Sequence, residues 1–293
     1  MILAINHHST ELISLALRED LGVDGDITSL CFVAETASGK ARIVGKEDSI
    51  VVSGLEVAQQ VFQTVDRDVQ FTPLANDGTE ISRGQVVAEI EGRFRSLLAA
   101  ERTALNFLQR LSGVATMTRR FVTAVAGTGV KLLDTRKTTP GWRALEKEAV
   151  RHGGGENHRL GLHDAFLVKD NHLLAVSSMD ELGKLVAEAR SQFPGRKLQL
   201  EADTLEQLDA FLGMEGVDAV LLDNMTATQL AAGVRLRNQR NPNVKLEASG
   251  GVNLNTIREL ALSGVDYISV GALTHSARAV DFSLDFCGQQ GVE

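Results

Sequence analysis

The stretch Lys197-Leu-Gln-Leu-Glu-Ala-Asp-Thr-Leu-Glu-Gln-Leu-Asp-Ala-Phe-Leu-Gly-Met-Glu-Gly-Val-Asp-Ala-Val-Leu-Leu-Asp223 decides the fold. An apolar run at 197–202 gives way to helix-period spacing over 205–214, and a second apolar run follows at 219–223. This is the order of a strand, a crossover helix and a parallel strand. Working outward, further runs rich in Val, Ile and Leu occupy 130–134, 165–169, 244–248 and 267–270, with helical spacing at 179–191, 227–238 and 253–263. The pattern predicts an α/β fold, an open β/α barrel domain with six visible strands, fewer than the eight of a closed barrel.

The first hundred residues read differently. Strand-like pieces at 41–44, 50–53, 69–71 and 85–90, with Asn76-Asp77-Gly78 as a turn, predict a smaller N-terminal domain, α/β or mostly β. A long helical stretch at about 96–126 bridges the two. No internal repeat or low-complexity linker separates them, and no pattern assigns the tail after about residue 276.

Composition sets outer bounds. At 293 residues, 43% hydrophobic and 23% charged, the chain has room for one large core or two modest ones. No apolar stretch approaches the roughly 20 residues of a bilayer span, and the first residues lack the build of a secretory signal, so a cytoplasmic location is expected. The net charge of -8 argues against nucleic acid and anionic membrane surfaces as partners. Cys31 and Cys287 match no metal or redox spacing and are expected as buried or partly buried thiols in a reducing compartment.

Against that acidic background, Asp134-Thr-Arg-Lys-Thr-Thr-Pro-Gly141, Gly153-Gly-Gly-Glu-Asn-His-Arg159 and Lys169-Asp-Asn-His172 gather Arg136, Lys137, His158, Arg159, Lys169 and His172. Guanidinium groups hold carboxylates and phosphates bidentately and ammonium groups add point charge, so the mixture suits a polyanionic ligand. Position supports it. Asp134, Arg136 and Lys137 follow the first barrel strand, while Lys169, Glu201 and Asp223 end the next three, at the rim where barrel enzymes carry their chemistry. Gly153 to Gly155 reads as a tight turn aiming His158 and Arg159 inward.

The last two strands end in Ser249-Gly-Gly251 and Val270-Gly-Ala272, each running towards a helix. Exposed backbone N–H groups beside glycine form a phosphate cradle. Next to it, Glu201 and Asp223 suit Mg²⁺, sugar hydroxyls or a cationic transition state, with salt bridges to the rim lysines as the structural alternative. The seven histidines show no metal-ligand spacing.

These same segments resemble the quinolinate phosphoribosyltransferase family, glycosyltransferases of NAD biosynthesis also described as nicotinate-nucleotide pyrophosphorylases (carboxylating). The resemblance runs through Glu101-Arg-Thr-Ala-Leu-Asn, Leu111-Ser-Gly-Val-Ala-Thr, Leu133-Asp-Thr-Arg-Lys-Thr-Thr-Pro-Gly, Gly153-Gly-Gly-Glu-Asn-His-Arg, Val168-Lys-Asp-Asn-His, Leu222-Asp-Asn-Met, Ser249-Gly-Gly and Val270-Gly-Ala-Leu-Thr. It implies an N-terminal domain over 1–112 joined by the segment 276–293, a barrel over 113–275, and a homodimer, or a hexamer with the same shared site. It also implies the substrates quinolinate and phosphoribosyl pyrophosphate, with Mg²⁺ as cofactor.

Carried onto matching positions, Arg102 reaches quinolinate from the partner subunit, and Arg136, Lys137, His158, Arg159 and Lys169 surround the carboxylates and pyrophosphate. Lys137, Lys169, Glu201 and Asp223 are the implied catalytic residues. Glu201 and Asp223 serve the ribose hydroxyls and Mg²⁺, directly or through water, while Ser249, Gly250, Gly251, Gly271 and Ala272 surround the 5′-phosphate. Trp142, His152, His163 and Arg278 depart from the pattern without removing a ligand. Other readings stay open: transfer of phosphoribose to another heteroaromatic acid, a Schiff-base aldolase using Lys137 or Lys169, or a non-catalytic sensor of phosphorylated ligands.

Overall fold

A computed structural model describes residues 2–287. The chain divides into two compact units, Met1–Arg119 with Thr138–Gly154 and Ser276–Glu293, and Arg120–Lys137 with Gly155–His275. Residues 288–293 of the expected closing segment lie outside the described residues. In chain order the first unit begins with α1 (Ile2–Leu21), α2 (Ile27–Phe32), β1 (Ser38–Gly45), β2 (Ile50–Val51), α3 (Leu55–Val65), β3 (Gln70–Pro73), β4 (Glu80–Ile81), β5 (Val86–Arg93) and α4 (Phe94–Ala124). The second unit starts with β6 (Lys131–Leu133), and α5 (Arg143–His152) returns to the first. The second unit then continues through β7 (Phe166–Val168), α6 (Asp170–Leu173), α7 (Met179–Gln192), β8 (Leu198–Ala202), α8 (Leu205–Leu212), β9 (Ala219–Asp223) and α9 (Ala227–Arg240). It ends with β10 (Lys245–Ser249), α10 (Ile257–Ala261), β11 (Tyr267–Ser269) and α11 (Ala272–His275), after which β12 (Phe282–Cys287) closes the first unit.

In the first unit, four antiparallel strands run in the order β12-β1-β5-β3. Alternate residues of β1 and β5 supply its core: Ala41, Ile43, Ala88 and Ile90 are almost fully buried, and Phe71 of β3 meets Phe62 of α3 with ring centroids 6.1 Å apart. The 31 residues of α4 extend about 46 Å at 1.5 Å per residue. Leu97, Ala100, Ala104, Leu108, Leu111 and Ala115 recur every three or four positions along it, and all are buried.

The expected break at residue 112 differs from the observed division, because α4 continues and 138–154 packs back on it. Glu146, fully buried, accepts from Arg110 Nη2 at 2.8 Å and from the Thr139 N–H and hydroxyl, while Trp142 stacks on Phe107 at 4.7 Å. Glycines set how close this packing comes. A Cβ on Gly153 would lie 2.5 Å from the Ala115 carbonyl oxygen and from Thr118 Cβ, so this glycine serves close approach to α4 and Gly154, at φ 93°, makes the turn. His152 bonds the Ser53 hydroxyl at 2.9 Å, and Arg278 bonds Glu47. The cysteines are free, as expected, but both are exposed rather than buried: Cys31 lies on α2 and Cys287 ends the edge strand β12.

The second unit is the expected open barrel. Its six strands are parallel in the order β6-β11-β10-β9-β8-β7, every one at a predicted position. The predicted helix at 253–263 shortens to α10, because Asn253 is used in a turn, its backbone and side chain bonding Thr256 and Asn255. Thr204 and Thr226 each form a capping box with a glutamine three residues on, which fixes where α8 and α9 begin. Leu198, Leu200, Val220, Leu222, Leu246 and Ile268 are buried, each contributing about 1.5–3 kcal/mol. The intervening residues Glu201, Leu221, Asp223, Glu247, Ser249 and Ser269 occupy the other face, and most of them line the barrel interior. A single bridge, Leu133 to Glu156, runs the segment after α5 along edge strand β6 and delivers His158 and Arg159 to the interior.

Candidate active site

A cavity of about 750 Å³ opens where the barrel strands end. Arg136, Lys137, His158, Arg159, Lys169, Asp223, Ser249, Gly250, Gly251, Gly271 and Ala272 all line it, so the second unit brings together the sequence-predicted residues it contains except Asp134, His172 and Glu201. Asp134 has a structural task. Fully buried just after β6, its carboxylate accepts Asn157 Nδ2 at 2.6 Å and the His158 N–H at 2.8 Å, which fixes the loop carrying Arg159.

Arg136 Nε is buried with no hydrogen-bond partner among the described residues. Arg159 donates to the Ala165 carbonyl at 3.1 Å; burial first and the neighbouring Arg136 charge second push its guanidinium below the ordinary arginine value, with Asp164 opposing. Two guanidiniums that repel one another, one with a buried donor unspent, form a receptor for negative charge. Lys137 adds a third cation, its stem 3.0 Å from where a Cβ on Gly271 would stand.

The glycine loops present bare backbone. Gly250 and Gly251 hold φ of 94° and 61°, the left-handed region where glycine is unstrained. A Cβ on Gly250 would fall 2.1 Å from Asn224 Oδ1, while Asn224 donates its N–H to the Ser249 carbonyl and its side chain to Asp223. The turns after β9 and β10 are thereby interlocked.

Glu201, 5% exposed, does not line the cavity; it pairs at 2.6 Å with Lys169, which does. Asp223 is half-buried and faces the cavity with no cationic partner among the described residues. No group of three His, Cys, Asp or Glu among the described residues is arranged to hold a metal ion. Arg102 belongs to the first unit, exposed on α4 and without a hydrogen bond among the described residues. His172 lies on the short helix α6, where its Nδ1 accepts the Lys169 N–H at 2.9 Å, and it does not line the cavity.

Sequence reasoning missed Thr135, Asn224, Glu247, Ser269 and His275, which also line the cavity. The available signal for Glu247 and Ser269 was the two-residue alternation of the strands, which turns polar residues inward at these positions.

A cationic barrel mouth with glycine-bare cradles at its last two strands defines a barrel enzyme for phosphorylated, polyanionic substrates. The family pattern described as "Quinolinate phosphoribosyl transferase, C-terminal domain" matches residues 114–285, and its N-terminal counterpart matches residues 26–112. The chain belongs to the quinolinate phosphoribosyltransferase family. A nicotinate-nucleotide pyrophosphorylase (carboxylating) of Mycobacterium leprae is 43% identical over 277 residues, covering 94% of this chain and 96% of the relative. A quinolinate phosphoribosyltransferase (decarboxylating) of Nicotiana glauca is 37% identical, covering 93% and 81%. The solved nicotinate-nucleotide pyrophosphorylase of Francisella tularensis superposes with a TM-score of 0.87 at 37% identity, covering 96% of each chain.

Proposed function

We propose that this chain transfers phosphoribose from phosphoribosyl pyrophosphate to the ring nitrogen of quinolinate, yielding nicotinate mononucleotide, pyrophosphate and CO₂ for NAD biosynthesis. The observation that carries the reading is the Arg136–Arg159 pair, with a buried guanidinium donor left unpartnered. Two adjacent carboxylates on one ring answer that pair, whereas a monocarboxylate leaves charge uncompensated.

The pyridine nitrogen displaces pyrophosphate from the anomeric carbon, forming a C–N bond as the C–O bond breaks. This nucleophile needs no base, so positioning and electrostatics supply the rate. Arg136 and Arg159 hold the dicarboxylate, Lys137 and Lys169 take pyrophosphate charge, and the Ser249–Gly251 and Gly271–Ala272 backbones cradle the 5′-phosphate. Asp223 orients the ribose hydroxyls and steadies positive charge at the anomeric carbon, while Glu201 holds Lys169 in place behind it. Once quaternised, the ring nitrogen stabilises the carbanion left at the adjacent carbon when that carbon's carboxylate departs as CO₂, and a proton then adds to the same carbon.

The donor set also fits Mg²⁺ of the kind held mainly by substrate phosphates and water, since Asp223 faces the cavity without a cationic partner among the described residues and Glu201 stands behind Lys169. Bound there, Mg²⁺ neutralises pyrophosphate charge and eases its departure. The guanidinium of exposed Arg102, without a hydrogen bond among the described residues, supports a homodimer in which this residue enters the neighbouring site; a hexamer of such dimers keeps the same arrangement. Two free, exposed thiols favour a reducing, cytoplasmic setting. Among the described residues no helix is long and apolar enough to cross a membrane.

The test supplies purified protein with Mg²⁺, phosphoribosyl pyrophosphate and either quinolinate or nicotinate. Pyrophosphate and CO₂ are expected with quinolinate alone; pyrophosphate with nicotinate and none with quinolinate overturns the dicarboxylate assignment.

A further inference from the structure

Glu247 sits mid-strand on β10, 2% exposed, in the interior of the barrel. Its Oε2 accepts Gln199 Nε2 at 2.9 Å and lies 3.3 Å from His158 Nε2, while Oε1 is buried without a hydrogen-bond partner among the described residues. Burial alone would raise its pKa, but the His158 ring, with Ser269 and Gln199, outweighs burial and holds it below the ordinary carboxylate range. A buried anion of this kind is costly, and a barrel interior needing only packing would use an apolar residue instead.

The far side of the histidine ring supplies the reason. His158 Nδ1 accepts the backbone N–H of Arg159 at 2.7 Å. A ring nitrogen that accepts an N–H carries no proton, so in the neutral ring the proton sits on Nε2, pointing to Glu247. The ring is therefore fixed from both sides. The N–H of His158 is itself tied to Asp134 at 2.8 Å, and the Arg159 guanidinium is tied to the Ala165 carbonyl at 3.1 Å. Glu247, His158 and the Arg159 backbone form one linked series, and Glu247, His158 and Arg159 all line both the active-site cavity and a second cavity of about 450 Å³ towards the opposite end of the strands. That series is the partition between the two spaces.

We propose that Glu247 is a positioning residue for the dicarboxylate substrate: by holding His158 in its Nε2–H form it sets the backbone at Arg159, and with it the direction from which that guanidinium meets a carboxylate. In this arrangement His158 acts on substrate recognition through Arg159, both of its ring nitrogens being engaged by the protein. Glu247 touches no substrate and takes no part in bond making. The inference rests on the quinolinate reading of the site.

The experiment compares wild type, Glu247→Gln, His158→Ala and the double variant by steady-state kinetics, varying quinolinate and phosphoribosyl pyrophosphate separately, with thermal melting alongside. Glu247→Gln keeps the shape but removes the charge that fixes the ring. Its quinolinate KM is expected to rise roughly 10- to 100-fold, as for loss of a supporting hydrogen bond behind a ligand-binding group. The phosphoribosyl pyrophosphate KM and kcat should stay within about threefold, and the double variant should be no worse than His158→Ala. Equal rises in both KM values, or losses that add in the double variant, overturn the linkage. Should Glu247→Gln fail to fold, Gln199→Met removes one donor to the carboxylate while leaving it paired with His158, and a rise confined to the quinolinate KM is again required. A wild type that turns over nicotinate but not quinolinate overturns the substrate reading and the linkage built on it; a wild type that turns over quinolinate with an unchanged Glu247→Gln overturns the linkage alone.

Discussion

The two ends of the barrel strands both carry charged residues and use them in opposite ways. At the N-terminal end each acid is satisfied. Asp266 accepts Arg237 at 2.8 Å, Lys245 at 3.0 Å and the Leu246 N–H at 2.9 Å, while Asp218 accepts Arg190 and the Leu198 N–H. At the C-terminal end Arg136 keeps a buried donor unpartnered, Arg159 is held beside Arg136, and Lys137 pairs with no carboxylate among the described residues; only Lys169 is compensated, by Glu201. Charge paired within the chain stabilises the fold, and charge left unpaired is available to a ligand. The same residue types therefore mean different things at the two ends.

That contrast is most exposed to failure at the arginines. Arg159→Ala should reduce kcat/KM for quinolinate by roughly 10²- to 10³-fold, the usual cost of removing one partner from a buried charged contact, with the phosphoribosyl pyrophosphate KM nearly unchanged. Its melting temperature should hold or rise, because repulsion from Arg136 is relieved; a large drop would mean that this end also serves stability. Asp266→Asn should do the reverse, lowering stability in urea melts by about 2–3 kcal/mol with kcat within twofold of wild type. Gly250→Ala forces a side chain into left-handed backbone against Asn224, at a cost of about 1–3 kcal/mol, and should weaken phosphoribosyl pyrophosphate more than quinolinate in separate KM measurements.

The smallest effect is in pH. Burial alone would raise the Asp266 pKa, but the Leu246 N–H, Lys245 and Arg237 outweigh it and hold the folded value below the ordinary 3.8. A depressed folded pKa gives stability that is complete above the unfolded value and lost as pH falls through the folded one. The stability gap between wild type and Asp266→Asn should thus be constant near pH 6 and narrow only below about 3.8, as read from urea melts at a series of pH values. A gap that widened in acid would show that the group is not held as an anion.

Much of this was legible in the chain. All six barrel strands follow from apolar runs, and α4 follows from its buried stripe, because burial on a known period leaves a direct record in residue order. The rim cations were legible too, since strand ends locate them. What stayed hidden depends on contacts between distant positions. Glu247 reads as a stray charge in Leu246-Glu-Ala248 until β10 is placed beside Gln199 and the His158 loop. The tautomer of His158 is set by a backbone N–H that no composition reveals. Residues 138–154 follow a barrel strand in sequence yet join the first unit through Glu146, Arg110 and the Trp142–Phe107 stack. The thiols were expected inside because cysteine is commonly buried, but a short helix and an edge strand leave both in solvent.

Strand β12 carries a consequence for how the protein is made. Gly45 of β1 pairs with Phe282, and the pairing continues to Lys40 with Cys287, so one margin of the first sheet is closed by residues translated after the entire barrel. Until the ribosome has delivered them, β1 presents open N–H and C=O groups to its surroundings, an invitation to pair with a neighbouring nascent chain. Termination between His275 and Phe282 leaves a product that has every barrel strand and whose first sheet has an adhesive edge.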